Sequence, residues 1–201
     1  SAYEKRAPAS TTKIMTALLA LEHCKTTDVA TVASEAITSV PSGYSTDLLK
    51  MGEELTIKDL LYALLLPSSN EAANVLAIHI AGSIDSFASM MNTKAMDLGC
   101  KNTHFVNCNG LDADGHLTTA RDIALMSKEL ITTYPQIFDY CNIWMENIIH
   151  KTQKGESEFG LTNTNKLIRQ YEYATGLKTG STSKAKFCVS ATGRKGDIDL
   201  I

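Results

Sequence analysis

The chain lacks a long apolar run: its longest, such as residues 60–66, fall far short of the ~20 residues a membrane-spanning helix needs. It lacks a basic excess as well. With 19 Lys and Arg against 22 Asp and Glu, the formal net charge is −3, and no basic stripe marks a nucleic-acid footprint. The first residues, Ser1-Ala2-Tyr3-Glu4-Lys5-Arg6, lack the apolar core of a signal peptide, so an exported form is expected to be mature or trimmed here. Five cysteines, Cys24, Cys100, Cys108, Cys141 and Cys188, make no even framework of disulfides and read as reduced, mostly buried thiols. Cys100, His104 and Cys108 are spaced four apart, but a fourth ligand is missing and Asn107, Asn109 and Gly110 read as a turn. No metal site and no cofactor are expected. No internal repeat or low-complexity tract is present.

What remains is ordinary for a globular protein: 201 residues, 44% hydrophobic and 20% charged. A helix that is apolar on most faces is expected from Ser10 to Glu22, which places it inside the protein. Thr56 with Asp59 and Thr119 with Asp122 form capping patterns that open helices to Leu66 and to about Thr133. Between them, helices are expected over Glu71–Ala81 and Ile84–Leu98, closed by Gly82 and Gly99, with a short one reaching Cys141. Trp144–Ile149, Gly176–Gly180, Ala185–Thr192 and Ile198–Ile201 read as strands. Helices in the middle and strands at the end predict an α+β fold rather than a βαβ repeat.

Three short motifs carry chemistry. Ser10-Thr11-Thr12-Lys13 opens the first helix, where positions i and i+3 share a face, so Lys13 can reach the Ser10 hydroxyl. The free N–H groups and positive dipole end of a helix start suit the oxyanion formed when a serine attacks a carbonyl. Ser68-Ser69-Asn70 lies between two helices, and Lys178-Thr179-Gly180 ends a strand before Ser181. Each alone has an ordinary structural reading: a capping serine with a surface lysine, an interhelical turn, a strand end. Together and in this order, 58 and 110 residues apart, they resemble the signature of penicillin-binding proteins and serine β-lactamases.

Longer stretches resemble the low-molecular-mass D-alanyl-D-alanine carboxypeptidases of that superfamily. They are residues 6–16 around Ser10, Phe105-Val106-Asn107 with Gly110-Leu111, Gly115-His116, Thr119-Ala120-Arg121-Asp122, Thr162-Asn163-Thr164-Asn165, and Gly176 to Gly180. The Glu-x-x-Leu-Asn segment of class A β-lactamases does not occur between Asn70 and Lys178, and Ser69 stands where those enzymes carry Asp.

The resemblance implies an antiparallel sheet flanked by helices with an all-helical subdomain. Residues 1–34 and 142–201 are expected as an α/β lobe and 35–141 as a mostly helical lobe of one catalytic domain. It also implies a core trimmed at both ends, since the family has strands before its nucleophile helix and further elements after the last strand here. Catalysis would rest on Ser10, Lys13 and Ser68. Asn70, Lys178, Thr179, Gly180 and Ser181 would bind substrate, with the Ser10 and Ser181 N–H groups as the oxyanion hole. The implied substrate is a peptidoglycan stem peptide ending in D-Ala-D-Ala, with β-lactams as covalent inhibitors and no nucleic acid. Action would be extracytoplasmic, any membrane attachment coming from segments absent here. A serine β-lactamase and a non-catalytic penicillin-binding sensor are the alternatives.

As base, Lys13 must shed its proton. Moving a lysine from ~10.4 to neutrality costs ~4.6 kcal/mol, about what a second ammonium ~4 Å away supplies at an effective dielectric of ~20. Lys178 and burial are the expected sources. His116 is expected in a structural role in the loop before Thr119, and the other four histidines suggest no triad.

Overall fold

The structure, a computed structural model, describes residues 1–44, 49–152 and 155–201. Residues 45–48, inside the expected helical lobe, and 153–154 lie outside the described residues.

The chain enters through a single 3-10 turn, Ala9–Thr12, that runs into helix α1, Lys13–His23. Every α1 residue from Lys13 to Leu21 is buried, as the all-round apolar sequence predicts. The expected helix over Ser10–Glu22 is thus tightened at its start. Ala9 sits at φ +48°, and Thr11 donates its hydroxyl to the Pro8 carbonyl at 2.6 Å.

Strand β1 (Val29–Thr31), helix α2 (Ser34–Thr38) and strand β2 (Glu54–Thr56) follow. Next come the helices α3 (Ile57–Leu65), α4 (Asn70–Ala81), α5 (Ile84–Asp97) and α6 (Ala120–Thr133). Their starts are set by side-chain caps: Thr56, Ser69, Ser83 and Thr119 each accept the N–H three residues on. Gly82, at φ +78°, closes α4 in the left-handed region. A 3-10 turn, Pro135–Ile137, leads into the short helix α7 (Phe138–Cys141).

The C-terminal third holds strands β3 (Met145–Thr152) and β4 (Gly155–Thr162), the short helix α8 (Leu167–Gln170), and strands β5 (Ala174–Thr182), β6 (Lys186–Lys195) and β7 (Ile198–Leu200). These strands form two sheets. One is antiparallel in the order β1-β2-β3-β4, the other antiparallel in the order β5-β6-β7. Strand pairing therefore links β2, from the middle of the chain, to β3 through Glu54 opposite Lys151.

The core runs continuously through α1, α3, α4, α5 and α6, with Leu18, Leu60, Leu64, Leu76, Phe87 and Met126 fully buried. Burying each such side chain contributes about 1.5–3 kcal/mol. All five cysteines are free; Cys100, Cys108 and Cys141 are buried, Cys24 and Cys188 half-buried. Among the described residues, no helix is long and apolar enough to cross a membrane.

Candidate active site

The free edge of β5 lies against the turn that carries Ser10. Gly180 makes the approach feasible: a Cβ there would lie 2.7 Å from the Ser10 nitrogen and 3.0 Å from the Ala9 Cβ and the Thr11 nitrogen. On the other side, Gly110, at φ +93°, touches the Ala9 backbone so closely that any Cβ would overlap its carbonyl. The turn that carries Ser10 is held between these two glycines. We expect Gly180→Val to push β5 from Ser10 and slow acylation by a β-lactam about 10²-fold, because misplacement on the order of 1 Å costs that much. Wild-type acylation kinetics in that variant would show that the close approach is not needed.

Lys13 is fully buried, and its amine touches three acceptors. Ser10 Oγ lies at 3.1 Å, Asn70 Oδ1 at 2.7 Å and the Asn109 carbonyl at 2.5 Å. As an ammonium it donates to all three. After losing one proton it keeps its two N–H bonds to Asn70 and Asn109, and its lone pair then faces the Ser10 hydroxyl. The group can therefore take a proton from Ser10 without moving.

Burial first, and the Lys178 ammonium second, hold Lys13 well below the ordinary lysine range; Cys108 and Glu71 oppose this. Glu71, in the first turn of α4, is a buried carboxylate whose Oε2 accepts from Ser69 Oγ at 3.2 Å.

Ser68 sits in the loop between α3 and α4 with φ +69°, a strained value for a non-glycine residue. Its Oγ is buried with no hydrogen-bond partner among the described residues. Asn70 is anchored on its other side, its Nδ2 donating to the Tyr44 carbonyl at 2.8 Å.

Alternation along β5 separates the third motif. Lys178 is 1% exposed, and its ammonium donates to the Thr179 carbonyl at 3.0 Å; burial lowers it to about 7. Thr179, Gly180 and Ser181, with Ser10 and Ser68, line a cleft of about 600 Å³. The eight predicted residues thus divide. Those five face the cleft, while Lys13, Asn70 and Lys178 stand behind it.

His116 is structural in its contacts. The Val106 N–H donates to Nδ1 at 2.9 Å, so Nδ1 accepts and Nε2 carries the proton to Thr12 Oγ1, also 2.9 Å away. Burial, with His104 adding to it and Asp112 opposing, lowers His116 to about 4 and keeps it neutral. Cys108 is likewise inert; burial pushes its thiol up to about 12, and it donates to Asn74 Oδ1 at 3.2 Å.

Three participants escaped the sequence reading. The Asn109 carbonyl is a backbone group, which no motif can report. Glu71 directly follows the second motif, and only its burial singles it out. Thr164, whose Oγ1 lies 2.7 Å from Thr179 Oγ1, belongs to a stretch noted above only for its resemblance.

A family model described as D-alanyl-D-alanine carboxypeptidase matches residues 1–201. The chain is 39% identical to the D-alanyl-D-alanine carboxypeptidase DacF of Bacillus subtilis, over 98% of this chain and 50% of the relative. To DacC of Escherichia coli it is 38% identical, over 100% of this chain and 50% of the relative. The chain thus spans about half the length of these curated relatives. Among solved structures, the Streptomyces K15 DD-transpeptidase superposes with a TM-score of 0.89 at 30% identity, covering 97% of this chain and 78% of that one. The D-alanyl-D-alanine carboxypeptidase DacD of Francisella tularensis superposes with a TM-score of 0.82 at 25% identity, covering 99% and 59%.

Proposed function

The chain belongs to the D-alanyl-D-alanine carboxypeptidase family, and from that premise we propose that it is the catalytic core of a serine-type D-Ala-D-Ala carboxypeptidase acting outside the cytoplasm on peptidoglycan stem peptides. One observation carries the reading: a fully buried lysine amine 3.1 Å from the hydroxyl of a serine that opens onto a cleft.

In this reading Ser10 Oγ attacks the carbonyl between the two D-alanines while Lys13 takes its proton. The Ser10 and Ser181 N–H groups receive the oxyanion. Ser68 gives its proton to the leaving amine and takes up the one that Lys13 received; its buried, unpartnered hydroxyl supports that role. The C–N bond breaks, D-alanine departs with the proton, and water later hydrolyses the ester on Ser10. Asn70 fixes Lys13. Thr179 offers its hydroxyl to the terminal carboxylate, and Lys178 adds positive potential from behind the strand. Residues 1–34 and 142–201 would supply the nucleophile and the β5 wall of this single catalytic unit, and 35–141 would supply Ser68 and Asn70.

β-Lactams present a comparable carboxylate and carbonyl, so they should acylate Ser10. Incubation with benzylpenicillin is expected to add one covalent adduct per chain, mapped to Ser10 by peptide mass spectrometry and absent in Ser10→Ala. Release of D-alanine from a peptide ending in D-Ala-D-Ala tests turnover. Adduct on another residue, or none, would remove the basis for this reading.

A further inference from the structure

Thr164 and Lys166 belong to a segment that alternates strictly: Asn163 and Asn165 are buried, and Thr164 and Lys166 are exposed. The buried pair pins it. Asn163 Nδ2 donates to the Cys141 and Ile143 carbonyls at 3.0 and 2.8 Å, and Asn165 Nδ2 to the Gly176 carbonyl at 3.1 Å. The Thr164 N–H donates to the Leu66 carbonyl at 3.0 Å, and its hydroxyl meets that of Thr179. Lys166 therefore stands on a platform fixed to β5 and to the end of α3.

Among the described residues that line the cleft, Lys166 is the single one with a formal charge, and none is acidic. Lys178 cannot make a direct contact there, because its ammonium is buried and engaged with the Thr179 carbonyl. Among the described residues, Lys166 has no ion pair. The far end of β5 differs. There Asp112 accepts from Thr182 Oγ1 and from the Lys184 N–H, and Lys184 Nζ pairs with Asp114. Among the described residues, the cleft thus carries an unmatched cation, Lys166, whereas the carboxylates beyond it at the Thr182 end of β5 are engaged.

We propose that Lys166 is a specificity-determining residue whose ammonium binds the terminal carboxylate of the substrate, beside the Thr179 hydroxyl. The proposal rests on the carboxypeptidase reading above. It follows from the charge map: among the described residues, an anion entering this cleft finds its one exposed counter-charge two residues along from Thr164, whose hydroxyl meets that of Thr179. Thr179 is two residues along the strand from Ser181, whose N–H is assigned to the oxyanion in the reading above. A charge-assisted contact of this kind discriminates against a ligand that lacks the charge by on the order of tenfold or more.

The test compares diacetyl-L-lysyl-D-alanyl-D-alanine with its C-terminal carboxamide, reading kcat/KM for D-alanine or D-alaninamide release. Acylation by benzylpenicillin and by its methyl ester supplies a second readout that needs no turnover. In Lys166→Ala the acid-to-amide and acid-to-ester ratios should each fall about tenfold, mainly through KM. Lys166→Glu should lower them further, and Lys166→Arg should restore them. Unchanged ratios, or equal losses for charged and uncharged ligands, would overturn the assignment while leaving the carboxypeptidase reading intact. A wild-type protein that neither releases D-alanine nor is acylated would overturn both.

Discussion

Lys13→Met is expected to slow acylation of Ser10 by about 10²–10⁴-fold, the range that a positioned general base contributes. Methionine nearly matches lysine in length and suits a fully buried site, so the fold should persist and the loss should be chemical. The Asn70 and Asn109 oxygens that Lys13 contacts would lose their donor, a structural cost of about 1–3 kcal/mol each at most. The measurement is the rate of benzylpenicillin adduct formation, with thermal unfolding run alongside.

The pH dependence has a definite sign. The base works only when neutral. Because burial and Lys178 hold Lys13 well below the ordinary lysine range, acylation should rise as pH rises through that lowered value, and not only in the alkaline range of a free lysine. A variant that acylates within about threefold of wild type would rule out Lys13 as the base and direct attention to Ser68.

Lys178→Met is expected to stabilise the protein near neutrality while impairing acylation. Lys178 is 1% exposed, and burial lowers it to about 7. The unfolded chain, with a lysine near 10.4, binds more protons than the folded chain throughout the interval between those values. Stability therefore rises with pH across that window and falls as pH drops toward 7. From pH 7 to 8.5 the Lys178 contribution amounts to on the order of 1–2 kcal/mol. Above the ordinary thiol range buried Cys100, Cys108 and Cys141, pushed up to about 12, act with the opposite sign.

Lys178→Met should flatten this slope in part, leaving the share that belongs to Lys13. The same substitution removes a positive neighbour from Lys13, so the acidic limb of the acylation profile should move to higher pH. Denaturant unfolding at several pH values, paired with acylation rates, checks both halves. A variant less stable than wild type at pH 7 would mean that the ammonium contributes more through its bond to Thr179 than its desolvation costs. Opposite signs in the two assays would identify a site that holds charge at the expense of stability.

Much of the helical frame could be read from local signals. The caps at Thr56 and Thr119 and the glycines at 82 and 99 act within one turn of chain, so the sequence carries them directly. The strands were harder. β1 and β2 are three residues each, too short to show a period, and β4 buries only Leu161, so it has no apolar alternation. The two-sheet arrangement also escaped, because the pairing of β2 with β3 joins residues almost a hundred positions apart.

The residue types of the candidate site, their order and the elements that carry them were determined by the amino-acid sequence alone, since a serine one helical turn from a lysine is a local fact. Which amine faces a hydroxyl and which lies behind a strand was decided only by packing. Lys13 and Lys178 are the same residue type, and the burial that strips protons from both depends on segments distant in the chain closing over them. The reason is electrostatic. Desolvation and Coulomb terms depend on distances through space, and neighbours in a cleft are seldom neighbours in a chain.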